Sequence, residues 1–320
     1  MTNKPFSVPG CTSGRCCLCP RMCAADRGSR SGFCGAGEEI EVSKIMLHHW
    51  EEPPVSGPDP TDEGHGSGAV FFAHCSLGCV YCQNGKISRP ASRGIPYSPD
   101  ALADEFLALQ SRGAYNVNLV SPTHYADRLA DTVDLARERG LTVPVVWNTG
   151  GYERPETIDA LAERGTADVW LTDFKYASPE SAERWSRARN YPETAAASLV
   201  RMVGAAGPCV FSPDGMMKRG VIVRHLVLPG RREESIAVLR TVASLVGEKS
   251  VRLSLMAQYT PDFLPAPPDP GNGQPDPYRS IRRKVTTYEY EKVVEEAARL
   301  GFEGWTQERS SATKRFTPDF

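Results

Sequence analysis

The 320-residue chain lacks a charge excess, a long apolar run and a secretory-type start. Lysine and arginine number 37 against 39 aspartates and glutamates, a net charge of -2. That balance excludes the strongly basic class of proteins that bind nucleic acid or anionic membranes. No uninterrupted apolar stretch is long enough to cross a bilayer, and Met1-Thr2-Asn3-Lys4-Pro5-Phe6-Ser7 has no apolar segment behind it. Internal repeats and heptads are also missing. A soluble, cytoplasmic protein with no nucleic-acid or membrane partner is expected, long enough for one large α/β domain plus an appendage.

Cysteine, by contrast, is plentiful. Of the ten, six lie in the first 34 residues, three lie between 75 and 82, and Cys209 stands alone. Without a secretory signal, such clustering reads as metal binding rather than as a disulfide framework. The chain is organised around Cys75-Ser76-Leu77-Gly78-Cys79-Val80-Tyr81-Cys82, directly after the apolar run at 69–73. Three thiolates can hold three irons of a 4Fe-4S cluster, which ordinarily takes four cysteines, so one iron is left open for chemistry. Structural zinc closes with four ligands, usually from two matched pairs, and one triplet suits it poorly.

The N-terminal Cys16, Cys19, Cys23 and Cys34 form a C-x2-C-x3-C-x10-C set in a stretch too rich in glycine and arginine to build a core alone. A metal would supply the missing folding energy. Four sulfurs suit either an auxiliary Fe-S cluster or zinc. Cys11 and Cys17 are expected to be spare thiols. An alternating run at 40–45 suggests an edge strand. The stretch His48-His49-Trp50-Glu51-Glu52-Pro53-Pro54 reads as a solvated connector, because its two prolines argue against a helix.

Beyond Gly68, apolar strands at 69–73, 116–120, 143–147, 168–173, 221–227 and 251–256 alternate with helical patterns. The helices are expected at 98–112, 126–139, 155–164, 179–205 with a break near Pro192, and 233–246. Such alternation means parallel βαβ units, and six of them suit a partial (βα)6 TIM-type barrel. Function in that architecture sits at the C-terminal ends of the strands. Polar residues collect there: Ser121-Pro122-Thr123-His124, Asn148-Thr149-Gly150-Gly151, Asp173-Phe174-Lys175, Arg224-His225 and Ala257-Gln258-Tyr259. Residues 261–280 read as a loop or lid, residues 286–300 as an amphipathic helix, 302–306 as a last strand, and the tail from 308 as frayed. The expected domains are a Cys-rich extension at 1–60, the barrel at 61–260 and a C-terminal segment at 261–320 packed on it.

The triplet followed by Gln83-Asn84-Gly85 resembles the signature of the radical S-adenosylmethionine (SAM) enzymes. Gly66-Ser67-Gly68-Ala69-Val70-Phe71-Phe72, Arg224-His225-Leu226-Val227-Leu228-Pro229-Gly230, Gln258-Tyr259-Thr260-Pro261 and Cys16-Cys17-Leu18-Cys19-Pro20-Arg21-Met22-Cys23 are similar to the branch around pyruvate formate-lyase activating enzyme, especially its PflX-type relatives. The resemblance implies a 4Fe-4S cluster on Cys75, Cys79 and Cys82, SAM on the open iron, and reductive cleavage to a 5′-deoxyadenosyl radical. It further implies a low-potential electron donor such as flavodoxin or ferredoxin, and hydrogen abstraction from a glycine of a partner protein. By the same likeness Tyr81 would pack on the SAM adenine, and Asn148, Thr149, Asp173 and Lys175 would line the SAM carboxylate and a monovalent cation. Arg224 would clamp the methionyl carboxylate. The family's Gly-Gly-Glu is replaced by Ser121-Pro122-Thr123-His124, which leaves Thr123 or His124 for the SAM amino group. The rival reading is a non-catalytic iron-sulfur or zinc protein of electron transfer or assembly.

Overall fold

The computed structural model describes residues 6–11, 14–30, 32–59, 61–62, 64–269, 273–313 and 318–320. Residues 1–5 and residues 314–317 of the tail expected to fray lie outside the described residues.

The strands are β1 (Ile40–His48), β2 (Gly66–Phe72), β3 (Ile95–Tyr97), β4 (Ala114–Val120), β5 (Val145–Thr149), β6 (Val169–Asp173), β7 (Val210–Phe211), β8 (Met217–Leu226), β9 (Arg252–Met256) and β10 (Gly304–Thr306). They form one sheet in the order β10-β9-β8-β6-β5-β4-β2-β1-β3, with β7 paired antiparallel to β8 beside that path. From β2 to β10 every neighbour is parallel, while β1 is antiparallel to both β2 and β3. The sheet does not close. The fold is therefore an α/β partial TIM-type barrel, and its six central parallel strands are the six read from the apolar runs.

The helices are α1 (Pro53–Ser56), α2 (Pro99–Ser111), α3 (Ala126–Glu138), α4 (Pro155–Glu163), α5 (Pro179–Ser186), α6 (Tyr191–Ala206), α7 (Arg232–Val246) and α8 (Thr287–Leu300). Local chemistry starts and stops them. Ser98 and Ser178 cap α2 and α5 by accepting from the backbone three residues on. Thr286 and Glu289 make a capping box at α8. The long helix expected at 179–205 divides at Arg187, which takes φ 53, five residues before the Pro192 near which the break is expected; Pro192 itself lies in the first turn of α6. Leu102, Phe106 and Leu109 of α2 are all buried, as their spacing requires.

Two expectations are corrected. The connector around Glu51 is not solvated, because Pro53 opens the short helix α1 instead of forbidding it, proline being tolerated in a first turn. His48 and Glu52 are buried there, and desolvation pushes His48 down to about 4 and Glu52 upward. Cys11 and Cys17 are not spare thiols but a disulfide, with Cα atoms 5.4 Å apart. The described end of the tail is also packed: Phe320 meets Phe71 edge to face at 5.3 Å, and Lys44 Nζ donates to the Asp319 carbonyl at 2.6 Å.

Candidate active site

Strand β2 is buried along its whole length and delivers the chain to the triplet loop. There the backbone turns sharply, with His74 at φ 74. The turn is held by Ala73 N–H donating to the Glu41 carbonyl (2.9 Å) and His74 N–H to that of Ile87 (2.7 Å). The Glu41 carboxylate braces the same corner, accepting from Gly94 N–H and pairing with His74 Nε2 and Arg30. The loop then docks on the end of α5, where Gly78 and Val80 N–H donate to the carbonyls of Ser186 (3.3 Å) and Trp185 (2.9 Å).

Cys75, Cys79 and Cys82 line one cavity with Leu77, Tyr81 and Asn84. Each sulfur has a polar neighbour: Leu77 N–H at 3.4 Å from Cys75, Ser186 Oγ at 2.9 Å from Cys79 and Ser88 Oγ at 3.5 Å from Cys82. Burial pushes the Cys75 thiol up to about 12, with the Cys79 charge adding to the shift and Lys175 opposing it. Metal binding must therefore expel a proton that burial holds on Cys75. Among the described residues no three histidine, cysteine or acidic side chains are arranged around a single-ion position. An iron-sulfur cluster takes one thiolate per iron instead, and three soft sulfurs in a protein cavity suit that group.

The opposite wall comes from the C-terminal strand ends, with Asn148, Thr149, Asp173, Lys175, Arg224 and Gln258 on the cavity. These groups form a network. Arg224 donates from Nε to Asp173 (3.1 Å), from Nη2 to Asn148 (2.5 Å) and from Nη1 to Glu51 (3.1 Å). Lys175 pairs with the other oxygen of Asp173. Burial pushes Asp173 up, but Lys175 and Arg224 outweigh it and hold the carboxyl below its ordinary value. Gly151, at φ 77, lets β5 turn out of the sheet; a Cβ there would overlap the Asp173 carbonyl.

Thr123 and His124 do not reach this cavity, which corrects the expectation that one of them serves it. Ser121, at φ 58, turns the chain after β4, and the following short turn Thr123–Tyr125 points into the core. His124 is 2% exposed, shares a 2.8 Å bond with the Ala73 carbonyl and packs on Tyr125. Burial, with Arg27 nearby, pushes it down to about 3. Thr123 and Thr149 both bond the buried Glu153. From that loop Ser121 itself lines the cavity. Tyr81 lines it as well, with its hydroxyl on Tyr176 (2.5 Å) and its ring edge-on to Tyr259.

Glu51 is the polar group that the sequence conceals. From the connector it bonds Arg224, Asn118 (3.2 Å) and Asn148 (3.3 Å), three partners on three strands. Only the approach of the connector to the barrel reveals this role; two adjacent glutamates ahead of two prolines carry no such signal.

The N-terminal thiols converge too. Cys16, Cys23 and Cys34 all lie close enough to raise the Cys19 thiol by charge repulsion, although burial is the larger cause. Arg27 donates to Cys16 Sγ at 3.0 Å and Ala36 N–H to Cys34 Sγ at 3.5 Å. Cys19 is buried and Cys23 exposed, so the set spans from core to surface. Arg154 fixes the segment to α4 by donating to the carbonyls of Cys17 (2.7 Å) and Pro9 (2.9 Å).

The chain is 27% identical over 298 residues to the uncharacterized protein MJ0674 of Methanocaldococcus jannaschii, covering 90% of this chain and 75% of that one. Among solved structures it is similar to a radical SAM methyltransferase from Sphaerobacter thermophilus (15% identity, TM-score 0.49, 75% of this chain and 66% of that one). It is also similar to Streptococcus suis SuiB bound to precursor peptide SuiA (10%, 0.49, 73% and 47%). A third likeness is to a domain of pyruvate-formate lyase-activating enzyme from Bacteroides vulgatus (12%, 0.39, 57% and 92%). The radical SAM superfamily model matches residues 70–243, from β2 into α7 and more than half of the chain. The chain thus belongs to the radical SAM superfamily, whose members work with a 4Fe-4S cluster and S-adenosylmethionine.

Proposed function

We propose that Cys75, Cys79 and Cys82 hold the cluster and that the polar wall facing them binds SAM for reductive cleavage. One observation carries the reading: three soft sulfur ligands and a charged hydrogen-bonding network share a single cavity at the C-terminal ends of parallel strands. When bound, the cluster supplies the electron that breaks the sulfur-carbon bond of SAM and releases a 5′-deoxyadenosyl radical.

The protein's own groups set the stage. Lys175 offers an ammonium and Asn148 an amide donor to the polar end of SAM, while Thr149, whose hydroxyl donates to Glu153, lines the cavity beside them. Arg224 is already tied by Asp173, Asn148 and Glu51, so in this reading it fixes the positions of those groups and adds positive charge rather than making a free clamp. Ser121 takes the place left by Thr123 and His124 beside the SAM amino group. Tyr81, Leu77 and Phe263 supply apolar wall that keeps water from the reacting atoms.

The finer assignment is an activating-enzyme-like oxidoreductase of the cytoplasm, abstracting hydrogen from a partner protein, with a flavodoxin or ferredoxin as donor. The N-terminal thiols hold a second Fe-S cluster in this reading. The four converging sulfurs, two of them bonded by N–H donors, support it. The test is binding: SAM should change the EPR spectrum of the reduced wild-type cluster, because one iron is open. A spectrum indifferent to saturating SAM would favour the closed, non-catalytic iron-sulfur protein.

A further inference from the structure

The two cysteine sets are separated in sequence by forty residues or so, but the segments that carry them touch in space. Arg21, lying between Cys19 and Cys23, donates from Nε to the carbonyl of Ser76 at 2.9 Å, and Ser76 adjoins Cys75. Its other nitrogens reach the carbonyls of Ser186 and Arg187, the same helix end on which the triplet loop docks. Phe33, next to Cys34, lies under the Arg21 guanidinium at 3.7 Å. The ring also abuts Gly78, where a Cβ would stand 3.6 Å from Phe33 Cζ, and Gly78 adjoins Cys79. Cys34 is thus separated from Cys79 by two residues and one contact, through Phe33 and Gly78, and Cys19 and Cys23 each from Cys75 by three residues and one contact, through Arg21 and Ser76.

A longer aromatic route runs parallel. Arg21 lies over Tyr152, which stacks on Tyr191; Tyr191 meets Tyr176 edge-on, and the Tyr176 hydroxyl bonds Ser186 Oγ, which bonds Cys79 Sγ. The far side of the N-terminal set faces outward, where Cys23 and Met22 are exposed. None of the four N-terminal thiols lines the cavity that faces the triplet. A substrate held at those thiols would stand behind the triplet loop, away from the reacting side.

We infer that the N-terminal thiol site is the electron entry of this protein, with Arg21 and Phe33 as its link to the triplet site. The inference rests on the second-cluster reading above. A low-potential one-electron donor protein, of the flavin or iron-sulfur class, reduces the metal centre at Cys16, Cys19, Cys23 and Cys34 by one electron. That same electron leaves toward the triplet site, so the centre returns to its starting state. No bond is made or broken in the transfer and no proton moves. Arg21 and Phe33 are positioning residues here: they hold the segment carrying the first thiol set against the triplet loop.

The test compares two reductants on anaerobically reconstituted protein, following the triplet centre by rapid-freeze EPR. Dithionite is small and can reach the triplet cavity directly, whereas reduced flavodoxin must dock on the protein surface, and in this proposal it docks on the outward face where Cys23 and Met22 are exposed. In Cys19→Ser, reduction by flavodoxin should slow at least tenfold while reduction by dithionite and the EPR line shape of the triplet centre stay as in wild type. Phe33→Leu keeps every metal ligand and covers the case in which Cys19→Ser misfolds; it should slow flavodoxin reduction several-fold and leave dithionite reduction unchanged. Wild-type flavodoxin rates in both variants would overturn the inference, and so would an equal slowing with both reductants, which marks a structural role. Zinc rather than iron at the N-terminal thiols of active protein would overturn it as well, while leaving SAM cleavage at the triplet intact.

Discussion

Glu51 and Arg224 stand far apart in sequence, yet a 3.1 Å bond joins Glu51 Oε2 to Arg224 Nη1 beneath the polar wall of the cavity. Both side chains are largely buried, at 11% and 15% exposure. Arg224 is thereby held from below by Glu51 and from the side by Asp173, and its guanidinium has one settled orientation. Removing one partner of such a buried pair leaves the other charge partly uncompensated, a cost of several kcal/mol in the least favourable case. Arg224 keeps Asp173, so the expected loss is smaller. Glu51→Gln should cost about 1–2 kcal/mol of stability and weaken SAM binding roughly tenfold. Thermal melts and equilibrium binding of SAM to the reconstituted protein measure both. Unchanged SAM affinity would show that the connector does not position the wall.

Glu153 gives a pH dependence. Its side chain is 2% exposed, and burial pushes the carboxyl from 4.5 up to about 7, against the opposing bonds from Thr123 and Thr149. Between about pH 4.5 and 7 the folded chain keeps a proton that the unfolded chain has lost, so stability falls as pH rises through that window. The shift corresponds to roughly 3 kcal/mol, fully lost above pH 7. Glu153→Gln removes the titration. Its melting temperature should exceed that of wild type by a few degrees at pH 8, with the gap closing toward pH 5. A constant gap across pH would mean that the carboxyl titrates normally.

Ser186 offers a handle on the triplet site itself. Its hydroxyl is 2.9 Å from Cys79 Sγ and is shared with Tyr176. Hydrogen bonds to a cluster's sulfurs raise its reduction potential, because they stabilise the more negative, reduced form. Ser186→Ala should therefore lower the midpoint potential of the triplet cluster without changing its iron content. Spectroelectrochemical titration reads this directly; an unmoved midpoint would show that the contact is not made to a ligand of the cluster.

Much of the site was legible in the sequence because its signals are local. The triplet is one loop after one apolar strand, and Asn148, Asp173 and Arg224 sit at strand ends that the apolar runs mark. Boundaries shifted where packing overrode pattern: β5 runs on through Asn148 and Thr149, and β8 starts at Met217 because β7 pairs with it. Glu51 was concealed because its value lies in a contact to Arg224 that no spacing announces. Thr123 and His124 pointed the wrong way because the turn at Ser121 rotates the residues after it into the core, and a left-handed serine leaves no mark in composition. The Arg21 to Ser76 contact was equally silent, since it needs the N-terminal segment folded back against the end of α5.

SAM cleavage at the triplet is tested most directly by release of 5′-deoxyadenosine from anaerobically reconstituted protein given SAM and dithionite, with Cys75→Ala alongside. Wild type should release it and the variant none above background. Equal release from both would contradict cleavage at the triplet, and so would silence from wild type shown to carry its full iron and to bind SAM.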